Sequence, residues 1–215
     1  MRSFICNELE PLAYLIYLVA VLLCYHRFKL LKHKVLLFYY AGTTITMYAG
    51  IVITTYLNNW SYNLVYFASI CVFSWYFRQL LHSRQKQIIV TICFIINVLI
   101  FIYFDIIQHT FYSRFNSLVY GVAFITIVLY TLLYLHQTMT DVKEENLLMN
   151  FDFWLVCLYL MYFLGSFVVV IYYERANIYE RAYMWAMSNV ILFICAVIIF
   201  TASLRIIKKQ QVIYD

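Results

Sequence analysis

The chain has 215 residues with a net charge of +5; 66% of them are apolar, 12% are charged, and only four are Gly and one is Pro. A soluble globular domain is about half apolar and about a quarter charged, so this composition excludes a soluble domain, a disordered chain and a collagen. It leaves a polytopic membrane protein that contacts lipids, and its excess of basic residues is expected beside a membrane face rather than on a nucleic acid.

Seven apolar segments are each long enough for a helix to cross about 30 Å of hydrocarbon. Unpaired backbone groups are costly in lipid, so the segments are predicted to be helices. The predicted fold class is therefore all-α, a compact bundle of seven transmembrane helices that forms one domain over residues 1–215. The predicted spans are 12–28, 35–57, 63–81, 88–104, 118–135, 153–173 and 182–204.

Residues near the predicted span ends support these boundaries. Pro11 lies directly before span one, where a proline at a helix start is tolerated, and Glu10 lies beside the positive end of that helix dipole. The polar segment 58–62 predicts a turn between spans two and three. All four Trp lie near a span end, as residues that anchor a helix at the membrane interface do.

The basic residues predict the direction of the spans. Eleven of the 15 Lys and Arg residues lie on one side, in the segments that follow spans one, three, five and seven. The other side has Arg2, Arg114, Arg175 and Arg181. Because basic residues concentrate on the cytoplasmic side, the N-terminus is predicted outside and the C-terminus in the cytoplasm.

The sequence shows no pattern typical of a membrane enzyme, and the predicted spans carry no ionisable residue near their middle. Four His residues lie at the predicted cytoplasmic face, where they are interpreted as anchors at span ends; they are His26, His33, His82 and His136. The alternative is that they bind a metal or a lipid phosphate. We expect no metal site, no cofactor and no catalytic residue, and an enzyme that uses these His residues is the third hypothesis.

Span two carries small residues at a spacing of four, namely Gly42, Thr46, Gly50 and Thr54. This spacing puts them on one helix face, and small residues there allow close helix packing. The favoured interpretation is a packing seam inside the monomer, and the alternatives are a homodimer face or a ligand cleft. The pair Gly165-Ser166 in span six is the predicted facing notch.

Several polar residues at depth are the candidates for a ligand site, namely Tyr48, Asn97, Tyr162, Ser166 and Asn189. A buried Asn requires a hydrogen-bond partner in hydrocarbon. The simpler interpretation is an interhelical hydrogen bond. The alternative is a pocket open to the outside in which Asn97 and Asn189 contact a small amphipathic molecule.

Two cytoplasmic segments are candidates for contact with a protein partner. The loop 137–152 is acidic, with Asp141, Glu144, Glu145 and Asp152, and the C-terminal tail is basic. The spacing of Asp141 and Glu144 resembles a capping pattern at a helix start. The alternative for the loop is a solvated segment without a partner.

Two stretches resemble a group of uncharacterised small seven-helix bacterial membrane proteins. They are Asn58-Asn59 with the following 62–66, and Phe153-Trp154 with the following 162–166. The resemblance implies a location in a bacterial cytoplasmic membrane. It carries over no activity to this chain. The leading hypothesis is a non-enzymatic receptor-like or accessory subunit that acts through a partner. The second is a small-molecule or lipid transporter or binding protein with a pocket at the membrane midplane.

Overall fold

The computed structural model describes residues 9–53, 59–108, 116–140, 147–173 and 175–214. Within these ranges the chain forms seven α-helices and no strand. A π-helical segment, Ile102–Ile107, extends the fourth helix, and a short 3-10 helix, Leu147–Met149, precedes the sixth. The helices are α1 Leu9–Phe28, α2 Leu31–Ile53, α3 Asn59–Leu80, α4 Arg84–Phe101, α5 Ser117–Thr140, α6 Phe151–Tyr173 and α7 Ile178–Tyr214.

Five of these helices are long and apolar enough to cross a membrane, namely α1, α4, α5, α6 and α7. Helices α2 and α3 have a similar length, 23 and 22 residues. The outer surface of the bundle fits lipid, because α4 exposes Ile92, Ile95, Ile96 and Leu99. The prediction of an all-helical chain is confirmed, and several of its helices are long and apolar enough to span a membrane.

Several helices extend further than the predicted spans. Helix α3 starts at Asn59, so the predicted turn over 58–62 is wrong for 59–62, where polar side chains instead form a first helical turn. Helix α2 starts four residues before its predicted span, because Lys32 and Lys34 are tolerated in a first helical turn. Lys29 adopts a left-handed φ of 52°, which allows a very short turn between α1 and α2.

The helices form a closed ring in chain order. Each helix packs against the next one along the chain, and α7 packs against α1 to complete the ring, while α3 also contacts α5. The antiparallel arrangement of neighbours expected from the short connections is therefore present. As a result, the starts of α2, α4 and α6 lie at one end of the bundle, and the start of α1 lies at the other.

The interior of the ring is unusually rich in tyrosine. Tyr17, Tyr40, Tyr76 and Tyr130 are among the largest fully buried side chains. The rings of Tyr17 and Tyr40 stack with centroids 5.1 Å apart, and the Tyr130 hydroxyl donates a hydrogen bond to the Val90 carbonyl at 2.9 Å. A buried hydroxyl is unfavourable unless it is hydrogen-bonded, so this core requires many specific polar contacts.

The predicted packing seam in α2 takes a different form in the structure. Gly42 is exposed, and no described atom lies within 4 Å of the position that a Cβ would occupy there. Gly50 is buried, Thr46 is half-buried, and Thr54 lies outside the described residues. The structure thus places no helix against Gly42, and a homodimer face at this position stays a prediction.

The predicted notch in span six faces a different helix from the one expected. A Cβ on Gly165 would lie 3.4 Å from the Ile191 side chain of α7. The neighbouring Ser166 hydroxyl is hydrogen-bonded to the Ser188 hydroxyl, also of α7, at 2.7 Å. The pairing of this notch with α2 is therefore wrong, because the ring closes α6 against α5 and α7 instead.

Candidate functional site

A partly open cavity of about 70 Å³ lies inside the ring, and we call it the tyrosine cavity. Side chains from α1, α2, α3, α5, α6 and α7 line it. Trp185 and Ser188 of α7 lie among them, together with aliphatic and Phe residues. Its tyrosines are Tyr14, Tyr17, Tyr39, Tyr40, Tyr62, Tyr66, Tyr120, Tyr159 and Tyr162.

Glu10 is the only charged residue among the described residues that line this cavity. Glu10, Tyr14 and Tyr17 follow a spacing of four and three residues, which places them on the inner face of α1. Glu10 is 5% exposed. Its carboxylate accepts a hydrogen bond from the Tyr62 hydroxyl at 3.5 Å, and the indole of Trp185 is its second hydrogen-bonding neighbour.

Tyr17 contributes a buried hydroxyl that has no hydrogen-bond partner among the described residues. Its neighbours are paired: the Tyr40 and Tyr159 hydroxyls bond to each other, and Tyr39 bonds to Ser69 at 2.6 Å. Buried hydroxyl groups in proteins are nearly always hydrogen-bonded. The cavity therefore contains a position at which a water molecule or a ligand would complete the hydrogen bonding of Tyr17.

A second polar region, which we call the ionic cluster, lies at the opposite end of the bundle. Asp152 of α6 forms an ion pair with Lys32 of α2. Its Oδ1 accepts hydrogen bonds from His33 Nε2 at 3.0 Å and from the Tyr76 hydroxyl at 2.7 Å. The rings of His33 and Phe151 pack edge to face, with centroids 5.3 Å apart. Three donors from two other helices thus converge on one buried carboxylate.

The ionic cluster corrects two interpretations made from the sequence. His33 is 1% exposed and bound to Asp152, so it is not an anchor at the membrane interface. Asp152 is not part of a solvated loop, because α6 starts at Phe151 and buries this side chain. The available signal was that the starts of spans two and six were both predicted at the cytoplasmic face, where opposite charges can meet.

The candidate ligand residues chosen from the sequence fall into different environments. Tyr162 lines the cavity, and Ser166 contacts it indirectly through Ser188. Tyr48 is 39% exposed and lies away from it. Asn97 and Asn189 are buried but do not line the cavity.

Asn97 holds two helices together instead. Its Nδ2 donates hydrogen bonds to Thr126 Oγ1 of α5 and to the Cys93 carbonyl of α4, both at 2.8 Å. The Tyr66 hydroxyl of α3 lies 3.5 Å from its Oδ1. These contacts correspond to the interhelical hydrogen bond that was the simpler interpretation of this residue.

Sequence reasoning missed the two residues that distinguish the cavity. Glu10 was interpreted as a charge beside a helix dipole, and Tyr17 as one apolar position among many. The signal that was present is the spacing of Glu10, Tyr14 and Tyr17, which is typical of one helix face. The cavity itself could not be found in this way, because five other helices contribute to it.

The two segments predicted to contact a partner lie beside each other. The short segment before α6 contributes Leu148 and Met149, and α6 contributes Trp154. The basic end of α7 contributes Arg205 and Lys209. They line a surface groove of about 340 Å³. The basic tail is a continuation of α7, which reaches Tyr214. Of the acidic loop residues, Asp141, Glu144 and Glu145 lie outside the described residues.

No family model, no curated protein and no solved structure matches this chain. Among the residues that the structure describes, no group of three or more His, Cys, Asp or Glu side chains is arranged to hold a metal ion. The two polar regions differ in their chemistry. The ionic cluster is internally paired, whereas the tyrosine cavity presents a carboxylate and a hydroxyl toward its interior.

Proposed function

We propose that this chain is a seven-span integral membrane protein that binds a small molecule in the tyrosine cavity and acts without catalysis. We further propose that it is a receptor-like or accessory subunit of a bacterial cytoplasmic membrane, with its N-terminus outside. The distribution of Lys and Arg supports this direction, because eleven of the 15 lie on one predicted side. Under this topology the cavity carboxylate lies near the outer face and the ionic cluster near the cytoplasm.

The observation that carries the proposal is the incomplete hydrogen bonding of the cavity. Ligand sites are typically concave and mostly apolar, with a few polar groups that orient the ligand. The tyrosine cavity has this character, with Glu10 and Tyr17 as the polar groups and aromatic rings as most of the wall. A core built only for packing would be expected to pair the Tyr17 hydroxyl, as it pairs those of Tyr40 and Tyr159.

The test is ligand retention in a variant whose cavity is filled. Ala123 is 1% exposed and lines the cavity, so Ala123→Leu places a larger side chain in that space. We expect mass spectrometry of protein purified in mild detergent to find a small molecule in the wild type and not in this variant. Ala186→Leu, at a half-buried position on α7 outside the cavity lining, is the matched control. Equal retention by all three proteins would contradict binding in the cavity.

A receptor-like or accessory role requires a partner, and the groove beside Trp154 is the proposed contact. Arg205 and Lys209 give it a basic rim, which favours an acidic partner segment. Purification under the same mild conditions should yield a stoichiometric second protein. Replacement of Arg205 and Lys209 by Gln should weaken that association while ligand retention stays unchanged.

Transport is the second candidate function, and one observation favours it. Polar groups continue from the cavity through the hydroxyl pair Tyr40–Tyr159 to Tyr76 and Asp152 at the other end of the bundle. A transporter would move the bound molecule into lipid vesicles that contain only this protein. Ligand binding without any accumulation in vesicles would favour the receptor-like role.

Reporter fusions test the proposed direction of the helices. A reporter that is active only in the cytoplasm should work when fused after Gln85 or Asp215. A reporter that requires the outside should work when fused after Asn177. Exchange of these activities would reverse the topology and would leave the cavity assignment unaffected.

A further inference from the structure

We propose that the ligand of the tyrosine cavity is a small organic cation, a short-chain ammonium ion bound by the Glu10 carboxylate. This inference rests on the proposed function, in which the cavity binds a small molecule, and adds the chemical class of that molecule. It goes beyond the amphipathic molecule expected from the sequence, because it assigns a charge and an anchoring residue.

The first argument is electrostatic. Glu10 is buried and forms no ion pair with any described residue, and the cavity lining includes no Lys, Arg or His. An ionised carboxylate is costly to bury without a positive partner or a full set of hydrogen bonds. An ammonium ion supplies the missing positive charge and up to three hydrogen-bond donors. The Glu10 carboxylate therefore attracts a cation and repels an anion.

The second argument concerns the aromatic rings beside Glu10. The Tyr62 and Trp185 rings meet edge to face, with centroids 5.1 Å apart, so they form a corner next to the carboxylate. Tyr14 follows Glu10 by one helical turn on the same face of α1. An organic cation is attracted to the faces of Tyr and Trp rings, and the attraction increases when water is excluded.

A metal cation fits this corner less well. Trp185 offers only an indole N–H, which donates a hydrogen bond and cannot coordinate a metal. Hard cations such as sodium or calcium require several oxygen ligands in a shell. Among the described residues, Tyr62 is the one whose hydroxyl lies within hydrogen-bond distance of the Glu10 carboxylate. The chemistry of these neighbours thus favours an ammonium group over a bare ion.

The size of the cavity limits the ligand to a few heavy atoms. Its volume of about 70 Å³ is roughly half that of an engineered protein cavity of about 150 Å³ that binds benzene. A short amine such as propylamine or 2-aminoethanol fits a space of this size.

The experiment measures the melting temperature of the purified protein in detergent with four probes of nearly equal size. They are propylamine, 2-aminoethanol, propan-1-ol and propionate, each titrated at constant ionic strength. We expect the two amines to raise the melting temperature in a saturable way, and the alcohol and the anion to have little effect. This comparison needs no variant, so it remains decisive if a substitution impairs folding.

Three variants assign the effect to residues. Glu10→Gln should weaken amine binding at least tenfold, whereas Glu180→Gln should bind as the wild type does. Glu180 is an exposed matched control, and Gln can keep its capping contact to the Asn177 N–H. Ala123→Leu, which fills the cavity, should bind neither amine.

The outcomes separate this inference from the proposed function. The proposal of a cationic ligand is overturned if propan-1-ol or propionate stabilises the wild type at least as strongly as the amines do. It is also overturned if Glu10→Gln binds the amines as the wild type does. In those cases, loss of probe binding in Ala123→Leu would still support the proposal that the cavity binds a small molecule. If no probe binds and no small molecule is retained by the wild type, both proposals fail together.

Discussion

Two buried carboxylates at opposite ends of the bundle have very different surroundings. Glu10 and Asp152 both lie in the first turn of a helix and are 5% and 6% exposed. Asp152 is bound by Lys32, His33 and Tyr76. Among the described residues, Glu10 has only the long contact from Tyr62 and the indole of Trp185. The comparison teaches that burial alone does not indicate function, and that the partners of a buried charge decide its role.

The difference arises from the helix ends that meet at each place. The start of α2 brings Lys32 and His33 beside α6, so the charge of Asp152 is balanced within the protein. Around Glu10, α3 and α7 supply aromatic residues. We therefore assign a structural role to the ionic cluster and a binding role to the tyrosine cavity. The following substitutions test that division, from the largest expected effect to the smallest.

Asp152→Ala is expected to cause the largest loss of stability. It leaves the buried His33 and Tyr76 and the half-buried Lys32 without their common acceptor, and removal of one partner from a buried ion pair costs about 3–5 kcal/mol. The free energy of unfolding in detergent measures this loss. Adding Lys32→Met to the same chain should recover part of it, because the unpaired charge is removed. A loss below about 1 kcal/mol for Asp152→Ala would contradict the structural role of the cluster.

Asn97→Leu is expected to have the next largest effect. It removes the bond to Thr126 that joins α4 to α5, and an unsatisfied buried partner costs about 1–3 kcal/mol. Thermal unfolding should show the loss, while ligand binding in the folded variant stays as in the wild type. Lost binding with unchanged stability would instead place Asn97 in the ligand site and would contradict its structural role.

Two Tyr→Phe substitutions compare a paired hydroxyl with an unpaired one in the same cavity. Tyr159→Phe removes the bond to Tyr40 and should cost about 0.5–1.5 kcal/mol. Tyr17→Phe removes a hydroxyl that has no partner among the described residues, so without ligand its unfolding free energy should stay close to that of the wild type. Equal losses in the two variants would show that the Tyr17 hydroxyl is already bound in the ligand-free protein.

Glu10→Gln is expected to have the smallest effect on stability in the absence of ligand. Gln has nearly the same volume and keeps an acceptor for Tyr62, and no ion pair is lost. We expect an unchanged free energy of unfolding or a gain of up to about 1 kcal/mol, because a buried charge is removed. A loss comparable to that of Asp152→Ala would mean that Glu10 has a structural partner and not a binding role.

Much of the helical framework was predictable from local patterns. Apolar segments of spanning length and the rarity of Gly and Pro predicted seven helices, each near its observed position. Helix starts were predicted less well, because Lys and Asn side chains can occupy a first helical turn, as at Lys32 and Asn59. The polar residues chosen for a ligand site were predicted only in part, since depth along a span does not indicate which side of the helix faces the interior.

The sequence by itself determined the all-helical class, the approximate spans and the asymmetry of basic residues, because these follow from hydropathy and charge along the chain. The tertiary structure alone decided which buried groups meet. Asp152 is paired with residues about 120 positions away because α2 and α6 start at the same end of the ring. Glu10 faces rings from α3 and α7 because α7 closes against α1. Partners across a bundle depend on how helices are arranged, and a one-dimensional pattern does not contain that information.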